Sequence, residues 1–177
     1  MGRIRNLITI TALSLATQGM AASPPATPDP FAFKPPAPLT VTQKTAVKVV
    51  YDVKDDVWDA GIGKALYYVR GLYQAYEAQG VPPQELHVSV VLHGTPVYWA
   101  LNEQSYQLYK NDPFDFNPNA KIISDLIALG VSVEICNVTL RGHGWTYQDL
   151  LPDVTIVRDG YTRMIDLQQQ GYAYIRF

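Results

Sequence analysis

An apolar strand followed by a long amphipathic helix opens the folded part of this chain. Val47–Val53 is β-branched and almost continuously apolar, as in strands that are covered on both faces of a parallel sheet. Over residues 60–79, apolar side chains recur every three or four positions, which predicts an amphipathic helix with Asp59 as its N-cap. Gly80 and Pro82 then end this helix. The pair predicts a βα unit of a parallel sheet.

Four further strands alternate with helices along the rest of the chain. They are predicted at Leu86–Leu92 and at residues 131–135, 154–157 and 172–177. Helices are predicted at residues 117–130, 138–144 and 159–171, whereas residues 95–116 have the prolines and asparagines of loops and broken helical turns. We therefore expect a three-layer α/β/α sandwich with a mostly parallel five-stranded, Rossmann-like sheet, whose strand order the pattern leaves open.

The first 22 residues have the pattern of a secretory signal peptide. Arg3 and Arg5 precede an uncharged apolar run that ends in small residues at Ala21 and Ala22. The run is too short to cross a hydrocarbon core of about 30 Å. The two arginines are not adjacent, as a twin-arginine signal requires, and no cysteine follows for lipid attachment. We expect a Sec-type signal and a periplasmic or secreted protein that is not a lipoprotein and has no membrane association after cleavage.

Residues 23–46 are expected to form a proline-rich tether. Seven of the chain's 13 prolines lie between Ser23 and Pro38. Because proline cannot donate a backbone hydrogen bond, we expect a semi-rigid spacer rather than a helix or strand. Phe31 and Phe33 are its only aromatic residues and could dock on the domain or on a neighbouring subunit. A single α/β domain is predicted over residues 47–177.

Charge and motif patterns argue against nucleic acids and nucleotides as ligands. The net charge is −2, and loss of residues 1–22 would remove two arginines and no acidic residue, which leaves −4. Lysines and arginines are scattered, so no patch neutralises several phosphates together. Gly61-Ile62-Gly63-Lys64 resembles a phosphate loop, but Trp58 and Ala65 stand where the Walker pattern needs glycine and Ser or Thr. We expect no nucleic-acid partner and no cofactor.

Cys136 is the strongest candidate for a reactive side chain. It is the only cysteine and follows the third predicted strand. In parallel α/β sheets ligands bind outside the carboxyl ends of the strands, and the N–H groups of a following helix would favour a thiolate there. A lone cysteine also occurs as a small apolar core residue, so both interpretations stay open. An internal disulfide and Cys-x-x-Cys redox chemistry are excluded because there is no second cysteine.

Two histidines lie at the same expected edge of the sheet. His93 directly follows the second predicted strand, and His143 lies a few residues after Cys136. Either imidazole could tune the thiol of Cys136, and all three residues could ligate a metal ion. No close-spaced pair of ligands anchors such a site, so we expect no metal.

The order of these motifs resembles the DsrE/DsrF-like family of small sulfur-relay proteins. The resemblance rests on Leu92-His93-Gly94 after the second strand, Leu129-Gly130-Val131 before the third, and Val133-Glu134-Ile135-Cys136 followed by Leu140-Arg141-Gly142. It implies an α/β/α fold over residues 47–177 and assembly into homo- or hetero-oligomers. It also implies that a persulfide is carried on Cys136 during sulfur transfer.

Two functions are compatible with these patterns. The first is an exported, non-metallic thiol protein that accepts or passes sulfane sulfur through Cys136, with a sulfur donor or acceptor protein as its partner. The second is a non-catalytic module in which Cys136 is buried and inert, and an edge pocket lined by Tyr98, Trp99 and Trp145 binds a ligand or a partner segment. In both we expect a homo-oligomer. Enzymatic activity stays open.

Overall fold

The computed structural model describes residues 37–177, which are built around a sheet of five parallel strands. The strands of the domain are β1 (Val47–Val53), β2 (Trp58–Asp59), β3 (Ile62–Gly63), β4 (Leu86–Leu92), β5 (Ser132–Cys136), β6 (Thr155–Val157) and β7 (Ala173–Arg176). The five-stranded sheet has the order β6-β5-β4-β1-β7. The predicted signal peptide and residues 23–36 of the predicted tether, with Phe31 and Phe33, lie outside the described residues.

Helices connect these strands. They are α1 (Lys64–Glu77), α2 (Glu103–Lys110), α3 (Asn119–Ala128), α4 (Asn137–Gly142) and α5 (Gly160–Gln169), with 3-10 turns at Pro83–Glu85, Thr95–Ala100 and Tyr147–Asp149. In the described part of the chain, no helix has both the length and the apolar character needed to cross a membrane.

The two faces of the sheet are covered unequally. Alternate strand residues such as Val49 and Val53 face a large core that also contains Leu66 of α1 and Ile123 of α3. The opposite face is covered by α5, whose Met164 and Leu167 pack on Val50 of β1 and Val91 of β4. Successive residues of a strand point to opposite faces, which explains this division. The predicted α/β fold with a mostly parallel five-stranded sheet is thus confirmed.

The start of α1 differs from the prediction. Trp58–Asp59 and Ile62–Gly63 form a short antiparallel hairpin, and α1 begins only at Lys64. Ala60 and Gly61 have φ angles of 49° and 80°, which a hairpin turn requires and a helix does not allow. The prediction that Asp59 caps a helix over residues 60–79 was wrong because the helical spacing of the apolar residues concealed this turn.

Residues 95–116 contain more helix than the sequence indicated. Pro96 lies in a 3-10 turn, and the two-turn helix α2 follows. Asn102 caps α2 by accepting a hydrogen bond from the Ser105 N–H at 2.9 Å, and Asn111 ends it in a left-handed conformation. The caps therefore explain both ends of this helix.

The compact unit begins earlier than residue 47. Residues 39–177 form one unit, and Val41 packs against the core while its N–H donates to Gln79 Oε1 at 2.8 Å. The Ala46 N–H donates to Glu85 Oε2 at 2.9 Å. The last part of the predicted tether thus lies against the domain.

A buried phenol makes the stability of the domain sensitive to alkaline pH. Tyr51 is 2% exposed and stacks on Phe177, with ring centroids 5.6 Å apart. Burial, with a smaller effect of Tyr76, raises the pKa of Tyr51 from 10.0 to about 12. The folded state thus favours the neutral phenol, and the stability it contributes is present below pH 10.0 and lost as pH rises towards about 12.

We expect Tyr51→Phe to reduce this loss of stability. The free energy of unfolding should fall less steeply above about pH 10 in the variant than in the native sequence, by about 2 kcal/mol at the alkaline end. Urea unfolding at about pH 9 and about pH 11.5 measures the difference. Equal losses in both proteins would contradict the assignment of this effect to Tyr51.

Candidate functional site

The register of the sheet brings Cys136 and His93 to the same edge. Asp52 of β1, Val91 of β4 and Glu134 of β5 lie side by side on the face that α5 covers. His93 and Cys136 each follow by two residues, so both lie on this face at the carboxyl ends of β4 and β5. Of the three residues that the sequence predicted at this edge, His93 and Cys136 are therefore neighbours across adjacent strands.

The sulfur of Cys136 is buried and accepts a backbone hydrogen bond. Cys136 is 5% exposed, ends β5 and directly precedes α4. The N–H of Gly160, the first residue of α5, donates to Cys136 Sγ at 3.4 Å. An N–H at the positive end of a helix stabilises negative charge on sulfur. The environment of the thiol is therefore polar on the side of α5, although the residue is buried.

The cap of α5 leaves this N–H free for the sulfur. Asp159 is the N-cap, and its Oδ1 accepts from the N–H groups of Tyr161 at 2.7 Å and Thr162 at 3.3 Å. Gly160 lies between the cap and these residues, and its N–H donates to Cys136 Sγ. The cap thus uses the second and third N–H groups, and the first is directed at the sulfur.

His93 is fixed in a buried chain of polar side chains. His93 and Asp52 are 4% and 5% exposed, and His93 Nε2 donates to Asp52 Oδ1 at 2.6 Å. The Tyr174 hydroxyl donates to Asp52 Oδ2. Burial, together with this hydrogen bond, raises the pKa of Tyr174 to about 12, so the hydroxyl keeps its proton near neutral pH. One oxygen of Asp52 therefore fixes the orientation of the His93 ring, and the other oxygen is itself fixed by Tyr174.

Gly160 contacts both candidate residues. A Cβ atom at Gly160 would lie 3.1 Å from His93 Cβ and 3.2 Å from His93 Cγ, closer than ordinary van der Waals contact. The edge of the Tyr161 ring also packs on the His93 ring, with centroids 5.1 Å apart. The first turn of α5 thus links the imidazole to the thiol, and glycine is the residue that permits the approach.

A buried ion pair anchors α5 to the sheet. Glu134 of β5 is 1% exposed, and both of its oxygens accept from Arg163, at 2.7 Å from Nε and 3.0 Å from Nη2. The hydrogen bonds to Glu134 raise the pKa of Arg163 above its usual value, so the guanidinium stays charged. This bidentate contact lies one turn after Gly160 and fixes the helix whose first N–H faces Cys136.

His143 lies elsewhere. The structure places it in an exposed position just after the end of α4, where its ring stacks on Trp145 with centroids 4.4 Å apart. It belongs to a row of aromatic rings that continues through Trp145 to Tyr109 and Tyr98. Of the two histidines predicted to tune the thiol, His93 is the one that the structure links to Cys136 through Gly160.

The predicted aromatic pocket is filled by its own side chains. Trp99 is 0% exposed and Tyr98 5%. Their polar atoms both reach Asp56, whose carboxylate accepts from Trp99 Nε1 at 2.9 Å and from the Tyr98 hydroxyl at 3.0 Å. Tyr98 and Trp99 thus pack the core instead of lining an open pocket, because one carboxylate satisfies both donors.

Sequence reasoning missed three residues of the site. Asp52 was passed over as a polar break in an apolar strand, although an acidic residue at the carboxyl end of a buried strand is itself a signal. Gly160 was assigned to a helix start at the expected ligand edge but not to a contact with Cys136, and Tyr174 was assigned only to the last strand. Their roles depend on strand order, which places β7 beside β1, and on the packing of α5, which lies over β1 and β4 and reaches Cys136 of β5 through Gly160. Among residues 37–177, no group of three or more His, Cys, Asp or Glu side chains is placed to hold a metal ion.

Comparison with known proteins gives a family and two similar folds. The model of the DsrE/DsrF-like family matches residues 62–177. A protein of unknown function, MTH1491 from Methanobacterium thermoautotrophicum, is 24% identical with a TM-score of 0.58, over 74% of this chain and 99% of that one. The ychN protein from E. coli is 16% identical with a TM-score of 0.51, over the same shares of 74% and 99%. No curated protein matches the sequence.

These two solved structures resemble this chain in fold, which agrees with the parallel sheet described above. The family match covers 116 of the 177 residues, counted from 62 to 177, and includes Cys136, His93 and the whole of α5. The chain therefore belongs to the DsrE/DsrF-like family.

Proposed function

We propose that this protein accepts sulfane sulfur on Cys136 and passes it on as a persulfide. The observation that carries the proposal is the hydrogen bond from the Gly160 N–H to Cys136 Sγ at 3.4 Å. It supplies a fixed donor to the sulfur atom in a chain of the DsrE/DsrF-like family, and the proposal takes the persulfide chemistry from those members that relay sulfur.

In the loading step, the Cys136 thiolate attacks the terminal sulfur of a donor R–S–SH. A new S–S bond forms at Cys136 while the S–S bond of the donor breaks, and R–S⁻ leaves. In the unloading step, an acceptor thiolate attacks the outer sulfur, and the electron pair of the broken bond returns to Cys136 Sγ. The Gly160 N–H faces the atom that carries the negative charge before the first step and after the second.

The roles of the surrounding residues follow from their contacts. Asp52 and Tyr174 fix the His93 ring, and His93 packs against Gly160, so these three are positioning residues for the N–H donor. Arg163 and Glu134 hold α5 in place. Cys136 alone undergoes covalent change.

The proposed setting of this chemistry is outside the cytoplasm. The signal-peptide pattern of residues 1–22 supports export, and the family resemblance supports an oligomer that meets a sulfur donor or acceptor protein. Detection of the chain in the periplasmic or culture fraction, shortened at its N-terminus by about 22 residues, tests the export. A full-length chain in the cytoplasm would contradict it.

A second candidate function is a binding module with an inert thiol. It is favoured by the 5% exposure of Cys136 and by its place beneath the first turn of α5. In that case the thiol would react only after the domain unfolds. The two candidates therefore differ in how the reactivity of Cys136 depends on global stability.

Labelling of Cys136 with iodoacetamide at several stabilities separates them. The variant Gly63→Ala is expected to destabilise the core on the face of the sheet opposite α5. If labelling proceeds through local opening of α5, the labelling rate of this variant should stay within about twofold of the rate of the native sequence. If it needs global unfolding, a loss of about 3 kcal/mol should raise the rate about a hundredfold.

Low urea concentrations repeat this test on the native sequence, should Gly63→Ala fail to fold. A labelling rate that does not follow the unfolding equilibrium supports the relay. A rate that rises in parallel with the unfolded fraction favours the binding module.

A further inference from the structure

A cavity lies between α5 and the ends of β1 and β7, whereas Cys136 belongs to β5, on the other side of β4 in the sheet. Its volume is about 270 Å³, and Asp52, Tyr161 and Tyr174 are among the residues that line it. Its lining also includes the apolar side chains of Met164 and Ile165. We call it the α5–β7 cavity. It shares Asp52 and Tyr174 with the polar chain around His93, but Cys136 does not line it.

The charged side chains at this cavity that have no close ion-pair partner within residues 37–177 are both positive. Lys54 and Arg176 line it, and both are exposed. Within residues 37–177 Lys54 makes no salt bridge, and the contact of Arg176 with Asp55 is long, at 3.7 Å from Nη2 to Oδ2. Two cations with weak or no partners favour a ligand that carries negative charge.

The one acidic residue that lines the cavity, Asp52, is buried and hydrogen-bonded within the protein, whereas both cations are exposed. Both oxygens of Asp52 already accept hydrogen bonds, from His93 Nε2 and from the Tyr174 hydroxyl. Each oxygen thus already has one protein donor, and Asp52 is 5% exposed. The carboxylate is therefore a fixed part of the cavity wall, whereas the cations at the mouth of the cavity still have N–H groups that can donate to a ligand.

Apolar surface accompanies these cations. Tyr161 is 57% exposed, Ile165 54% and Tyr174 44%, and all three line the cavity. Aromatic and aliphatic walls with a few polar groups are typical of sites for small organic molecules. An inorganic anion would leave this surface in water, so the walls favour a ligand with an apolar body.

We propose that the α5–β7 cavity is a binding site for a small organic carboxylate, whose anionic group pairs with Lys54 and Arg176 and whose apolar part packs on Tyr161 and Ile165. This inference goes beyond the sulfur chemistry of Cys136 and does not depend on it. The site lies next to the proposed relay, because Tyr161 contacts His93 and directly follows Gly160.

Calorimetric titration of the full chain with benzoate, and with benzamide as the neutral analogue of the same shape, tests the proposal. We expect benzoate to bind at least about tenfold more tightly than benzamide, and its affinity to fall as salt is added. Equal affinity for the two compounds, or no binding of benzoate, would overturn the proposal.

Matched lysine variants locate the site. Lys54→Gln is expected to weaken benzoate binding about fivefold or more, whereas Lys121→Gln, an exposed lysine on α3, should leave it unchanged. Equal effects of the two variants would mean adventitious surface binding and would overturn the assignment. The Cys136→Ser chain should bind benzoate as the native chain does, so failure of the sulfur relay and failure of this site are separately visible.

Discussion

Replacing Arg163 by methionine is expected to lower the free energy of unfolding by about 3 kcal/mol. The variant leaves the carboxylate of Glu134, which is 1% exposed, without the guanidinium that meets both of its oxygens. Ser132 Oγ, which donates to Glu134 Oε1 at 3.0 Å, cannot neutralise the charge. Because water reaches the partly exposed Arg163 side chain, the loss should lie at the lower end of the range for a broken buried pair. Urea unfolding near neutral pH measures it.

Two controls separate charge burial from loss of packing. Adding Glu134→Gln to Arg163→Met removes the unpaired charge and should restore more than half of the lost stability. Lys121→Met breaks an exposed i,i+4 pair with Asp125 and should cost less than about 0.5 kcal/mol. If the double variant were as unstable as Arg163→Met, the Arg163–Glu134 pair would not be the anchor of α5 that we describe.

Replacing Gly63 by alanine is expected to lower stability by about 3 kcal/mol, at the upper end of the range for overpacked cores. An added Cβ would lie 2.4 to 2.7 Å from three ring carbons of Trp99, which is fully buried. The Trp99 ring is held in place because its Nε1 donates to Asp56. The backbone at Gly63 is also held, because the Gly63 N–H donates to Asn119 Oδ1 at 2.7 Å. Either the hairpin or the tryptophan must move.

Gly71→Ala is the matched control. Gly71 lies in the interior of α1, the helix that begins directly after Gly63, and an added Cβ at Gly71 would meet no atom within 4 Å. Alanine in the interior of a helix is favoured over glycine, so this variant should be stabilised by about 0.5–1 kcal/mol. Thermal unfolding of both variants gives the comparison. Similar stability of Gly63→Ala and the native sequence would show that Trp99 does not pack on Gly63 as the structure has it.

Much of the fold follows from local pattern. The runs Val47–Val53 and Leu86–Leu92 are strands with the predicted bounds, because continuous β-branched residues suit a strand buried on both faces. Asp159 caps α5 where the sequence placed a helix start. The hairpin before α1 was missed since its turn depends on positive φ angles at Ala60 and Gly61, which apolar spacing does not reveal.

The site was only partly predictable for a different reason. Cys136 and His93 were identified because each follows a predicted strand. The partners that define their environment come from distant parts of the chain: Gly160 is 24 residues from Cys136, and Tyr174 is 122 residues from Asp52. Such contacts depend on strand order, and local pattern left the place of the last strand open. His143 was close to Cys136 in sequence, but α4 carries it to the Trp145 stack.

Mass spectrometry of the folded chain after brief exposure to polysulfide, followed by peptide mapping, is the most direct test of sulfur handling at Cys136. We expect the mass of one or more sulfur atoms to be added on the Cys136 peptide, to be removed by a thiol acceptor, and to be absent from Cys136→Ser. A native chain that gains no sulfur, or a Cys136→Ser chain that gains as much, would contradict the account.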